Sequence, residues 1–562
     1  MTLSFRPLLQ LAALLALVNV TPLSADSLAG NYLAASQASY NNDFEAAARY
    51  YTLALADDPD NTGLMQNALL AFLSKGDLDQ GLAIAQRMES LNADSQLAQL
   101  ILLTDAIRKR DFAAANGFYE KGIKFSPLLD GLLQGWIYLG MGRMSDAIER
   151  FDALGGNRNM KIFSNYHKAL ALATVGDFEA AEKIMQGENG QPLRIGRGSL
   201  IAHIEMLSQL DRNDEALAII KNALNGSGDL EIIDIQRRLQ AGETLPYDFV
   251  TNASEGAAEV YLTLASVLAG DKNERFALIY GRLSEFLRPK SVAAILIVAD
   301  LLNEQGQYDL AVRNFNKVPV DNPMFYSAEI GRAEALQAND QPDAAIEVLR
   351  GLSKTHKTIP TVFTSLGDAL RRQSRFPEAT EAYDAAIALL PEPQPNQWFL
   401  YYTRGITYER EGNWKAAEAD FRFSLKLSPD QPLVLNYLGY GLVEKRIQLD
   451  EAQKMIEKAV ELRPDDGYIT DSLGWVLYRV GKFDEAVPYM ERAVEQLPVD
   501  PIVNDHLGDV YWMVGRKLEA AFQWRRALSF APEPADAERI RSKLEFGLDQ
   551  VLKREAAESK AQ

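Results

Sequence analysis

The chain has 562 residues, 47% of them hydrophobic, 24% charged and 9% aromatic, with 37 Gly, 23 Pro and no Cys. These proportions belong to an ordinary globular protein and exclude collagen-like, disordered and polytopic membrane classes. Lys and Arg number 58 against 77 Asp and Glu, a formal net charge of −19 that repels phosphate backbones, and without Cys there is no disulfide, thiol nucleophile or cysteine-ligated metal. No nucleic-acid partner, no cofactor and no lipid anchor through Cys are therefore expected.

In chain order, residues 1–25 read as a secretory leader. Arg6 forms a short basic start, LLQLAALLALVNV (8–20) is a 13-residue apolar stretch too short to span a bilayer, and TPLSA places a cleavage site after Ala25. No other run approaches 18 apolar residues, so no transmembrane span is expected, and the mature chain is expected in the periplasm.

From residue 26 onward the chain aligns on itself with a period of 34 residues, clearest in DSLGWVLYRVGKFDEA (471–486) and NDHLGDVYWMVGRKLEA (504–520). With Gly474 and Gly508 at position 8, units start near 28, 62, 96, 128, 162, 197, 257, 292, 326, 360, 398, 432, 467 and 501. That period resembles the tetratricopeptide repeat and implies an all-α, right-handed superhelix of about fourteen helix-turn-helix units. Residues 26–224 form an N-terminal arm. Residues 225–256 break the period and read as an irregular linker or insert, and residues 257–534 form a C-terminal arm. PEPQPNQ (391–397) shifts the phase, and the unit from 432 is one residue longer than the period, with Ala452 in the position-20 role. After Pro534 an amphipathic capping helix is predicted over 535–556, followed by a polar tail to 562.

The repeated positions have physical roles. Position 20 is Ala in most units, from Ala47 and Ala115 to Ala486 and Ala520, so that the two helices of a unit approach closely. Position 24 is large (Tyr51, Phe151, Phe315, Tyr383, Phe421, Met490, Trp524) and is expected to fill the gap between neighbouring units. Position 32 is often Pro, from Pro59 and Pro127 to Pro498 and Pro532, and ends the second helix.

Catalytic motifs are missing: the chain carries no HExxH, GxxxxGK[ST] or GxSxG. RIGRGSL (194–200) opens a repeat helix without a preceding strand, and DDPDNTG (57–63) has Leu69 where a calcium loop needs Glu. His167, His203, His356 and His506 are scattered over different units and read as helix-surface or turn residues. The chain is thus expected to be no enzyme and to hold no metal.

Binding is expected on the first helices, whose positions 2, 5, 9 and 12 face the concave side. In the last units these are Phe399, Tyr402, Asn436, Tyr440, Asp471, Trp475, Tyr478, Asp505, Asp509 and Trp512. An aromatic lining interleaved with acceptors suits a basic or polar extended protein segment. Carbohydrate or peptidoglycan stacking on Trp475 and Trp512 is the alternative.

LNYLGYGLVEK (435–445), DSLGWVLYRVG (471–481), NDHLGDVYW (504–512) and FQWRRAL (522–528) resemble tetratricopeptide proteins of the proteobacterial envelope, over about 360–534. One class in that family is similar to the lipoprotein adaptor of a periplasmic carboxy-terminal processing protease. The resemblance implies a non-catalytic adaptor whose partner is a periplasmic protease or a cell-wall hydrolase. The adaptor's lipobox Cys has no counterpart here.

Overall fold

The computed structural model describes residues 28–187, 191–224, 229–270 and 274–558. The expected leader, 1–25, lies outside them, as does part of the expected linker. Among the described residues all regular structure is helical, and no helix is long and apolar enough to cross a membrane. Helix pairs follow one another as in an α-solenoid. The first helices begin at Leu28, Thr62, Gln96, Pro127, Lys161, Arg197, Ala253, Val292, Phe325, Pro360, Trp398, Pro432, Gly467 and Pro501, in the register of the 34-residue period.

Local chemistry sets these boundaries. Asp43, Asn61, Asp77, Ser95, Asp111, Asp177, Asp466 and Asp500 each accept a backbone N–H of the first turn that follows. Pro360, Pro432 and Pro501 head first helices, where their missing N–H costs nothing. Pro429, Pro464 and Pro498 lie just past second helices ending at Leu427, Leu462 and Gln496, as expected. Pro127 differs, since it opens the helix Pro127–Gly140, well beyond the second helix Phe112–Glu120.

Within a pair, every position-20 Ala named above is fully buried. The large position-24 residue lies first on the position-8 Gly of its own unit. A Cβ on Gly367, Gly405, Gly474 or Gly508 would come within 2.7 Å of Tyr383, Phe421, Met490 or Trp524. The same residue also reaches outward, as Phe421 does to Tyr437 of the next unit at 5.4 Å between ring centroids.

The chain divides into two compact units, 1–348 and 349–562. The segment expected to separate two arms, 225–256, falls inside the first unit. Its described part contains the helix Leu230–Gln240 and the start of the 18-residue helix Ala253–Gly270. That helix packs against the first helices Gln96–Arg108, Pro127–Gly140 and Lys161–Thr174. Ser254 Oγ donates to Ile107 O at 2.8 Å, the Thr104 and Tyr261 hydroxyls pair at 2.7 Å, and Tyr166 Oη donates to Glu259 Oε1 at 2.9 Å. Gly256 lies flat on Trp136, where any Cβ would meet the indole at 2.2 Å. On the next helix, Glu274–Leu287, the buried Arg282 donates to Ser74 O at 3.2 Å. The inner face of the early repeats is therefore filled by the chain's own helix, which reads as a degenerate repeat because its residues are chosen for that embrace.

In the second unit the Pro-rich spacer is taken up by a short 3₁₀ turn, Pro395–Gln397. The extra residue of the unit from 432 lies in the turn before Leu449, where Arg446 and Gln448 both take left-handed φ. The terminal helix is two helices, Pro534–Phe546 and Leu548–Glu558, because Gly547 turns left-handed beneath Trp512.

Candidate functional site

The first helices Pro432–Glu444, Gly467–Arg479 and Pro501–Met513 touch in succession and form an inner wall of the second unit. A cleft of about 480 Å³ opens on it. Asn436, Tyr437, Tyr440, Glu444, Asp471 and His506 contribute from these helices, joined by Trp414 from a second helix and Tyr468, Asp500 and Ile502 at the helix starts. Four carboxylates (Glu409, Glu444, Asp471, Asp500) face two permanent cations (Arg410, Lys445). Lys445 already stands over the Trp414 ring at 5.1 Å and Arg410 beside Glu409 at 3.5 Å. Asn436 Oδ1 is buried at this wall without a hydrogen-bond partner.

One side of the cleft is a stack. Trp475 lies between Tyr478, 4.8 Å away, and His506, 4.0 Å away, both nearly parallel to it. Its Nε1 donates to Glu444 Oε1 at 2.7 Å. His506 Nδ1 stands 3.0 Å from Asp471 Oδ2. Burial works against charge on this imidazole, yet the Asp471 carboxylate, together with the charges of Asp505 and Asp509, lifts the pKa above the ordinary histidine value. Tyr440 is pushed up too, by burial and by the charges of Glu444 and Asp471, and stays a neutral donor.

Of the ten residues expected on the concave side, the eight other than Phe399 and Tyr478 separate into three groups. Asn436, Tyr440 and Asp471 line the cleft. Tyr402 is built into an aromatic cluster with Trp398, Phe399, Phe421 and Tyr437, and Trp475 is spent on its stack, only 7% exposed. Asp505, Asp509 and Trp512 already have an occupant, the terminal helices. Lys543, fully buried, places Nζ 2.7 Å from Asp505 Oδ2 and 2.6 Å from Asp509 Oδ1, while Arg539 lies 3.6 Å from Asp509. Asp509 also accepts from Trp524 Nε1 at 2.9 Å, and Trp512 Nε1 donates to Asp549 at 3.1 Å. Burial, then the neighbouring Asp509 charge, pushes Asp505 upward against the pull of Lys543. These three residues are a fastening for the end of the array, so the expectation of an open acidic lining there is corrected.

The histidines are a second correction. Only His356 occupies a turn; His167, His203 and His506 are buried. His167 Nδ1 accepts from Trp136 Nε1 at 3.1 Å, and burial drives its pKa down to about 3. The His506–Asp471 pair was legible in principle, since 35 residues is one unit plus one and places the two on adjacent first helices. Lys543 was not, because it lies beyond the periodic region.

The tetratricopeptide repeat family model matches residues 330–396, 445–501 and 472–536. A TPR repeat-containing protein of Pseudomonas aeruginosa is 30% identical over 194 residues, covering 34% of this chain and 32% of that protein. Tetratricopeptide repeat protein 13 of Homo sapiens is 28% identical over 175 residues, covering 30% of this chain and 20% of that one. The alignments thus span about a third and a fifth of these relatives. Among solved structures, one chain of the APC/C hetero-tetramer Cut9–Hcn1 matches over 92% of this chain and 96% of its own at 14% identity and a TM-score of 0.39. YrrB, described as a TPR protein with an unusual peptide-binding site, covers 35% of this chain and 99% of its own at 21% identity and a TM-score of 0.28. The matched stretches carry tetratricopeptide repeats, and the helix pairs outside them keep the same register.

Proposed function

We propose that the protein is a non-catalytic interaction scaffold of the bacterial periplasm that holds a polypeptide segment in the cleft of its second unit. The observation that carries this reading is the wall around Asn436: a buried acceptor without a partner, set among Tyr437, Tyr440, Trp414 and Tyr468 beside the stacked His506. A polypeptide supplies what such a wall lacks, N–H donors for the acceptors and apolar side chains for the rings. The inner face at the early repeats is filled by Ala253–Gly270 and the last repeat is closed by Lys543, whereas this stretch keeps an open cleft. The leader-like segment 1–25 supports export. The resemblance of 360–534 to envelope adaptors supports a protease or a cell-wall hydrolase as the partner. Carbohydrate stacking is less favoured, because Trp475 and Trp512 are both engaged within the protein.

Replacing Tyr440 by a photoreactive residue tests the reading in cells. One discrete crosslinked protein, lost when Asn436→Ala and Tyr437→Ala are added, is the expected result. Absence of any specific adduct from the folded protein rejects it.

A further inference from the structure

A second cavity, of about 580 Å³, lies in the first unit. It opens between the helices Phe112–Glu120, Pro127–Gly140 and Met144–Gly155. Two polar groups on its wall have no partner. The Arg150 Nε is buried and unbonded. The Tyr119 hydroxyl is buried and unbonded as well. An unmet guanidinium Nε and an unmet hydroxyl facing one space cost stability unless a ligand or solvent satisfies them.

The charges in this cavity differ from those of the acidic chain around it. Lys124 stands exposed at the mouth, giving two cations with Arg150. The one carboxylate on the wall, Asp130, accepts from Phe125 N with both oxygens, at 3.2 and 3.1 Å, and the charges of Arg150 and Lys124 act on it as well. Ser126 Oγ is used as the helix cap on Leu129 N. Gln134 and Asn157 also line it, and the rest of the wall is apolar, with Ile123, Leu154 and Met160 among it.

We infer that this cavity binds an oxyanion head, a carboxylate or a phosphate monoester, carried on a short aliphatic body. Arg150 and the Tyr119 hydroxyl hold the head, Lys124 attracts it at the mouth, and the apolar wall takes the body. A guanidinium is suited to such a head because it offers two parallel N–H donors. The volume exceeds what a bare ion fills and matches a small organic ligand.

Calorimetric titration of the full-length protein with four probes tests this: hexanoate, hexyl phosphate, inorganic phosphate and hexylamine. Hexanoate or hexyl phosphate is expected to bind, and whichever is tighter names the head. Arg150→Gln is expected to weaken binding about tenfold or more and Tyr119→Phe severalfold, the loss of one charge-assisted and one neutral hydrogen bond. Asp130→Asn is expected to tighten binding by removing the like charge, which keeps the test open if Arg150→Gln fails to fold. Hexylamine binding as tightly as hexanoate, no heat from either amphiphilic anion, or a folded Arg150→Gln variant that binds as the parent does would each overturn the proposal. Inorganic phosphate binding as tightly as hexyl phosphate overturns the aliphatic body.

Discussion

At the scale of single residues the repeat is a set of size rules with little slack. Gly405 lies in a helix interior, where intrinsic propensity alone says that Ala should stabilise by about 1 kcal/mol. The added Cβ would sit 2.6 Å from the Phe421 ring, and overpacking of that kind costs about 1–3 kcal/mol. Packing should win: Gly405→Ala is expected to lower stability in urea unfolding, and a gain would show that Phe421 can step aside. Lys543 is decided by charge. Lys543→Met would leave Asp505 and Asp509 facing each other in a dry site, a loss of about 3–5 kcal/mol. Adding Asp505→Asn and Asp509→Asn should restore much of it, as read by thermal unfolding.

Two buried histidines give pH dependences of opposite sign. The folded pKa of His167 is held near 3, so between about 3 and 6.5 the unfolded chain binds more protons and stability falls as pH falls. His506 is raised by Asp471, so its contribution is complete below about 6.5 and is lost as pH rises through its folded value. Burial lifts Glu205 to about 8 and Glu259 to about 7, and both add to the loss on the alkaline side. Denaturant midpoints followed against pH should flatten on the acid side in His167→Gln and on the alkaline side in His506→Gln. The reverse assignment would show that the burial of His167 or the Asp471 contact of His506 does not govern.

At the scale of elements, the helix Ala253–Gly270 departs furthest from a simple array. It is wedged among first helices, with Tyr261 and Val260 fully buried and Gly256 under Trp136. In native-state hydrogen exchange its amides should be protected to the level of Pro127–Gly140, and Gly256→Leu should abolish that protection together with that of the helices it touches. Rapid exchange over 253–265 in the parent protein would contradict the packing described.

This is also where sequence and structure part company. The 34-residue register and the burial of Ala47, Ala486 or Ala520 were readable because each repeat poses the same packing problem. The site was half readable: the register found Asn436, Tyr440 and Asp471 on one wall, because position along a first helix sets its direction. It could not tell that Asp505, Asp509 and Trp512 face Lys543 and Asp549. Those are choices between a side chain of the same protein and a partner, and periodicity is silent on them.

At the scale of the whole molecule, each compact unit has its own way of using a concave face. The first unit spends it on a helix from its own chain, and the second keeps a cleft between an aromatic cluster and a charged terminal fastening. The embraced helix has a kinetic consequence. Solenoids ordinarily fold quickly, since each repeat needs only its neighbours. Here Arg282 must find Ser74 across 208 residues, Ser254 must find Ile107 across 147, and Arg313 must find Glu45 across 268. The first repeats therefore leave the ribosome long before their partners exist. The unit should show the slow, denaturant-sensitive refolding of a high-contact-order domain, with its earliest helices the last to become secure.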